Sequence, residues 1–180
     1  MKIYGLLKSR PESLSRREST TLYMTLLAAF QTLLGRDRRQ TDICVGLTGP
    51  FINTLPLRCY LTGDPTFLEL LSRIREVAAG AYDHQILPLE RIIEIVHCKP
   101  SLNHHPLFQV CNFLEISARP EGLDVAAFDF DAGVAAFDLT LELTEPRIQL
   151  ECVLNFNTAL FDVGTARGML GHYQTLLEAS

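Results

Sequence analysis

The 180-residue chain contains no phosphate-cradling glycine loop, no Gly-x-Gly-x-x-Gly, no Gly-x-Ser-x-Gly and no His-Glu-x-x-His. Nucleotide hydrolysis, dinucleotide redox chemistry and serine-elbow hydrolysis therefore lack their usual support. Basic charge is also short. The net charge is -5 and the sequence pI about 5.5, which argues against a dedicated nucleic-acid binder. The five cysteines (Cys44, Cys59, Cys98, Cys111, Cys152) are odd in number, form no Cys-x-x-Cys pair and sit in apolar runs. That usage fits buried free thiols in a reducing, cytoplasmic setting better than a disulfide framework. The opening MKIYGLLKSRPES is too poor in apolar residues to read as a secretory signal. The uncharged run Ser19–Gly35 includes Thr20, Thr21, Thr25, Gln31 and Thr32 and falls short of a membrane span. No internal repeat or low-complexity segment is present.

What remains is the composition of a folded domain. Hydrophobic residues make up 47% and charged residues 21%, enough to build a core without staples and too apolar for disorder. Charge is uneven: residues 1–40 carry eight basic and three acidic side chains, residues 101–180 three basic and eleven acidic. A basic leading segment followed by acidic, solvent-facing strands accounts for this.

Residues 1–12 read as irregular. Ser19 or Thr20 is placed to cap a helix through Leu22, Leu26, Phe30, Leu33 and Leu34, with Gly35 as its stop. Leu27, Ala28 and Ala29 make that helix apolar around much of its circumference, so it is expected to be covered on several sides. Asp42–Leu47 and Phe51–Leu61 read as strands, the second an edge or bulged strand because of Pro56. Asp64-Pro65 suggests an N-cap and first helical position. The helix it opens would bury Phe67, Leu70, Leu71, Ile74 and Val77. Pro88 opens another, with Leu89, Ile92, Ile93 and Val96 inward. After Pro106 four segments read as strands: LFQVCNFLEI, LDVAAFDF, FDLTLELT and IQLECVLNFN, with Glu145-Pro146-Arg147 as a tight link between the last two. Asp162 caps a final helix through Met169, Leu170, Tyr173, Leu176 and Leu177. The order is that of an α/β (α+β layered) lobe, a mixed sheet with helices on it.

His97, Cys98, His104, His105 and Cys111 are zinc-type ligands, but their spacing matches no common zinc frame and Pro100 and Pro106 interrupt them. A helix end, a polar loop and a buried strand cysteine describe them as well. The His104-His105 pair runs directly into Pro106, Leu107 and Phe108, with no carboxylate within the next four residues, which favours a loop role over a base with its support.

Three segments, TGPFINTLPLR (Thr48–Arg58), AYDHQILPLERII (Ala81–Ile93) and SLNHHPLFQV (Ser101–Val110), in this order and spacing resemble the last three core motifs of nonribosomal peptide synthetase condensation domains. The flanking helices and the closing strands agree, so the resemblance covers residues 13–180. It implies one lobe of the chloramphenicol acetyltransferase-like fold, in which two similar lobes meet around a tunnel. It implies amide-bond formation between donor and acceptor thioesters carried on the phosphopantetheine arms of carrier proteins, with no cofactor bound covalently to the domain. The family's His-His-x-x-x-Asp-Gly motif, which acts on the acceptor amine, is not in this sequence; His104-His105 belongs to the third segment and no Asp-Gly follows. Two further departures are Pro100-Ser101, where the family often has Arg-Asp or Arg-Ser, and the direct run from DICVGL to TGPFINT, where the family carries a longer loop expected to cross to the other lobe.

Carried onto this chain, the resemblance offers Asn53, Thr54 and Asp138 as tunnel-facing polar side chains, with a sheet hydrogen bond as the alternative for the first two. Phe51, Arg58, His84, Gln85, Pro88, Glu90, Pro106, Phe108 and Gln109 are motif positions with structural roles. Arg58 pairs with a carboxylate, holds the lobe junction or stands in solvent. Glu90 favours the dipole at a helix start. A second crossing element would fall within Ile116–Ala136. The expectation is a C-terminal condensation lobe, inactive alone because it lacks the histidine motif and the opposite wall. Its partners would be an N-terminal condensation lobe, a peptidyl carrier protein and an adenylation domain, with neither nucleic acid nor membrane. A split-enzyme subunit and a non-catalytic docking scaffold or self-associating remnant are the alternatives.

Overall fold

A computed structural model describes residues 1–7, 11–38, 40–48, 53–97, 105–115, 137–144 and 150–179. Six strands form one mixed sheet: β1 (Lys2–Leu7), β2 (Asp42–Thr48), β3 (Thr54–Tyr60), β4 (Val110–Glu115), β5 (Leu139–Thr144) and β6 (Leu150–Phe156), in the spatial order β1-β6-β5-β4-β2-β3. β2, β4 and β5 run parallel, while β3, β6 and β1 are antiparallel to their neighbours. Alternation builds the core face. Ile43, Val45, Leu47, Leu55, Leu57, Cys59, Leu139, Leu141, Leu143, Cys152, Leu154 and Phe156 are all buried, while β3, β5 and β6 turn every second residue to the other face.

Three helices supply the opposing layer: α2 (Leu22–Arg38), α3 (Phe67–Asp83) and α5 (Val163–Ala179), with the short α1 (Pro11–Arg17) against α2. α2 is central. Leu26, Leu27, Ala28 and Ala29 are all fully buried, so the helix is covered on several sides as its composition predicts. Tyr173 on α5 packs edge-on against Phe30, and its hydroxyl donates to the Leu26 carbonyl at 3.1 Å. The final helix begins as the sequence indicates: Asp162 accepts the Thr165 N–H at 2.8 Å.

Several local expectations are corrected. Residues 2–7 are not irregular: they form β1, which pairs with β6 from Lys2↔Asn155 to Leu7↔Leu150. A strand at a sheet margin needs only one partner, and the short run offers little internal periodicity. Thr21, not Ser19 or Thr20, accepts the Met24 N–H at the start of α2. Gly35 does not end that helix. It clears room for Leu61, whose Cδ1 would lie 2.1 Å from a β-carbon there. Asp64 is not the cap of α3 either. It adopts φ 48° after Gly63 at φ 86°, and Thr66 caps instead, exchanging hydrogen bonds with Glu69 in a capping box.

α4 (Leu89–Val96) departs most. Its apolar stripe is expected inward, yet none of its residues is buried and Val96 is 56% exposed. The helix lies against the marginal strand β3, beyond which the sheet offers no further surface. The expected strand over residues 123–130, the crossing element within 116–136, the link at 145–147, Phe51, Cys98, Pro100, Ser101 and His104 lie outside the described residues. Among the described residues no helix is long and apolar enough to cross a membrane.

Candidate functional site

The three motif segments converge on the β2–β3 corner of the sheet. β2 and β3 form a direct hairpin: Thr48 pairs with Thr54 and Asp42 with Tyr60, so only residues 49–53 separate the paired ends. Asn53, at the base of β3, is joined to the second segment. Its Nδ2 donates to the carbonyls of Gln85 at 2.8 Å and Leu87 at 2.9 Å. That clamp fixes the turn between α3 and α4. His84 closes α3, its Nδ1 donating to the Gly80 carbonyl at 2.9 Å, and Pro88 is the N-cap of α4. Glu90 stands exposed in the first turn of α4, where a carboxylate suits the helix dipole.

Arg58 takes the carboxylate alternative. Its Nε and Nη2 donate to Asp42 Oδ1 and Oδ2 at 2.9 and 2.7 Å, a bidentate pair across the hairpin, and its guanidinium carbon lies 5.2 Å from the Tyr60 ring centroid. The hydrogen bond from Arg58 holds the Asp42 carboxyl below its ordinary value, and Asp42 raises Arg58 in return. Both side chains are well exposed, so the pair orders the strand ends more than it stabilises them.

The third segment closes the corner. Phe108 is buried at 1% exposure, stacked on His105 with ring centroids 4.3 Å apart and on Phe137 at 5.6 Å. His105 Nδ1 accepts from the Leu107 and Phe108 N–H groups, each at 3.4 Å, which requires the neutral imidazole. Burial holds its pKa below the usual histidine value. Gln109 Nε2 donates to the His105 carbonyl at 3.0 Å, and the Gln109 carbonyl accepts the Asp138 N–H at 2.9 Å. Pro106 to Val110, Val96, Arg58, Asp42 and Cys44 then line a cavity of about 420 Å³. Burial pushes the Cys44 thiol up to about 11, so it is not a poised nucleophile.

The tunnel candidates do not gather in one place. Thr54 shares a row with Thr48, Phe113 and Glu142, whereas Asp138 precedes the row of Val110 and Leu139. They stand about 13 Å apart along the strands and about 14 Å across them. By alternation from the buried Leu55 and Leu139 both belong to the face opposite the helices. Of the zinc-type residues, His97 ends α4 in an exposed left-handed turn, and Cys111 donates its S–H to the Gly46 carbonyl at 3.2 Å. Among the described residues no three His, Cys, Asp or Glu side chains group as a metal-holding set.

Sequence reasoning misses Asp42, Cys44 and Gly46. A period-2 reading of β2 opposite Arg58 contains the signal, since these three alternate with the buried Ile43, Val45 and Leu47. A β-carbon on Gly46 would lie 2.3 Å from Phe108 Cε2, so that glycine is the floor under the aromatic cluster.

Comparison with known proteins agrees with this layout. The condensation-domain family model matches residues 6–180. A linear gramicidin synthase of Brevibacillus parabrevis is 42% identical over 93% of this chain, and the dimodular nonribosomal peptide synthase of Bacillus subtilis is 36% identical over 95%. The chain spans only 4% and 8% of those two proteins. In structure it aligns over 99% of its length with holo-AB3403, a four-domain nonribosomal peptide synthetase bound to AMP and glycine (TM-score 0.86, 21% identity, 16% of that chain). It aligns equally far with the condensation domain of the monacolin K polyketide synthase MokA (TM-score 0.79, 20% identity, 46% of that chain). At those identities the likeness shows the fold, and the family match with the sequence relatives shows the membership: the chain belongs to the condensation-domain family of nonribosomal peptide synthetases, the amide-bond-forming family.

Proposed function

We propose that the chain is the C-terminal lobe of a condensation domain and takes part in joining two carrier-bound thioesters through an amide bond. One observation carries this: almost the whole chain aligns with 46% of the isolated MokA condensation domain. In this reading the face of the sheet opposite the helices, with Thr54 at one corner and Asp138 at the other, is one wall of the reaction channel. Asn53 acts by positioning the Gln85–Leu87 turn, and Arg58, Phe108 and Gln109 hold the corner where the motifs meet. The phosphopantetheine arms of carrier proteins bring the donor and the acceptor, and the N-terminal lobe supplies the histidine motif.

The described residues around the cavity support a positioning role. Arg58 is paired with Asp42, Cys44 is held protonated, and His105 is stacked with its Nδ1 committed to backbone N–H groups. None of these is placed as a free general base. The direct β2–β3 hairpin leaves this wall without the longer crossing loop expected between Gly46 and Gly49.

The test is chemical. The chain is mixed with a donor and an acceptor aminoacyl thioester, each loaded on a carrier protein, with and without an N-terminal lobe bearing His-His-x-x-x-Asp-Gly. Amide product is expected only when that lobe is added. Product from the chain alone overturns the reading.

A further inference from the structure

We propose that Ile86, held outward by the Asn53 clamp, is the anchor through which this chain docks onto the complementary half of a condensation domain, by insertion into an apolar cleft of that half. The inference rests on the half-domain reading above and names the surface that reading requires.

Ile86 lies between the two carbonyls that Asn53 holds, Gln85 at 2.8 Å and Leu87 at 2.9 Å, and its side chain is 91% exposed. The turn is fixed further by the Gln85 N–H on the Tyr82 carbonyl and the Leu87 N–H on the His84 carbonyl. A branched aliphatic side chain is therefore presented to solvent on backbone that is already ordered. Such preorganisation lowers the entropic cost of association.

Single exposed apolar residues are ordinary, but a concentration of them marks a contact surface. Five of the nine exposed large apolar side chains among the described residues fall between Tyr82 and Val96. They occupy the turn and the helix that no other described element covers: α4 touches β3 and buries none of its own residues. The MokA domain that matches 99% of this chain extends beyond the match by more than half its own length. That remainder is the occupant of matching size, and the same corner carries the hairpin end with Asn53 and Thr54.

The probe is the half-domain that adjoins the matched stretch in the linear gramicidin synthase compared above, immobilised and titrated with this chain. Wild type is expected to bind. Ile86→Asp is expected to weaken binding about tenfold or more and Ile86→Val by less than about threefold, since a buried carboxylate is costly and a lost methylene is not. His172→Ala, on the exposed side of α5, is the control and should bind as wild type. Because Ile86 makes little contact with its own fold, the melting temperature of each variant should match wild type. Unchanged binding by Ile86→Asp overturns the anchor and leaves the half-domain reading standing. Failure of wild type to bind overturns both. A wild-type homodimer that Ile86→Asp converts to monomer assigns the surface to a second copy and overturns the proposal.

Discussion

Phe108 rests directly on the backbone of Gly46. A β-carbon at that position would stand 2.3 Å from Cε2 and 2.7 Å from Cζ of the ring, and 2.9 Å from Cys111 Sγ. The ring cannot retreat, because His105 and Phe137 stack against it. Gly46→Ala should therefore destabilise the fold by about 2 kcal/mol, the usual cost of overpacking a closed site. Phe108→Leu should cost some stability by itself but relieve part of the Gly46→Ala penalty, giving a non-additive double mutant. Urea midpoints of the four proteins in the cycle measure this; additive losses would mean that the two residues do not share the space.

Asn112, in the second row of β4, is fully buried, and neither its Oδ1 nor its Nδ2 has a hydrogen-bond partner among the described residues. Its neighbours in register are Leu47 and Leu141. Leucine has the same number of side-chain heavy atoms and no polar ones. Asn112→Leu should raise stability by about 1–3 kcal/mol, the cost otherwise spent desolvating the amide. A higher urea midpoint at unchanged slope is the expected outcome, and a lower midpoint shows that the amide has a partner the fold depends on.

The contrast between these two residues shows what a sequence can reveal. The helices, β2, β3 and the last two strands are legible because apolar spacing and burial coincide there. Leu26, Phe30, Leu33 and Leu34 on α2 and Leu139, Leu141 and Leu143 on β5 are buried where the periodicity places them. α4 escapes such a reading because periodicity reports amphipathicity and not what covers the apolar side. Asp64 misleads because Thr66 with Glu69 satisfies the N-terminal donors of α3 better, and the two signals overlap by two residues. The site is legible in part. The Asn53 clamp, the Asp42 partner of Arg58 and the Gly46 floor join residues from distant segments, and only the register of β2 with β3 and β4 shows which ones meet.

Several carboxyls are held below their ordinary values: Asp42 by Arg58, Glu69 by the Thr66 backbone and side chain, and Asp162 by Thr165. A depressed carboxyl contributes stability above its unfolded value, near 4, and loses it as pH falls through the folded value. His105 is also depressed, by burial. For a histidine this means full stability above about pH 6.5 and a loss as the pH falls toward the folded value, where the stacked ring must charge. The urea midpoint should therefore decline in two stages, first below about pH 6.5 and again below about pH 4. His105→Gln should remove the first stage and leave the second. Asp42→Asn should shrink the second and leave the first. A midpoint flat from pH 7 to 5 in wild type contradicts the burial of the imidazole.

The clamp itself can be tested by changing one atom. In Asn53→Ala the carbonyls of Gln85 and Leu87 lose their donor, but both are near solvent and water can replace it. The global cost should stay near about 1 kcal/mol. Asn53→Asp is worse than alanine, because it sets a carboxylate oxygen against two carbonyl oxygens and repels the turn it should hold. The effect should be local: amide exchange at Gln85 and Leu87, whose N–H groups bond to Tyr82 and His84 carbonyls, should accelerate in the order wild type, alanine, aspartate, while exchange in β5 stays constant. If the turn presents Ile86 as an ordered anchor, Asn53→Ala should also weaken half-domain binding by about threefold to tenfold with no change at the contact residue, since ordering the turn then becomes part of the cost of association. Exchange that quickens while binding stays unchanged separates the clamp from the docking surface and restricts Asn53 to shaping the α3–α4 turn.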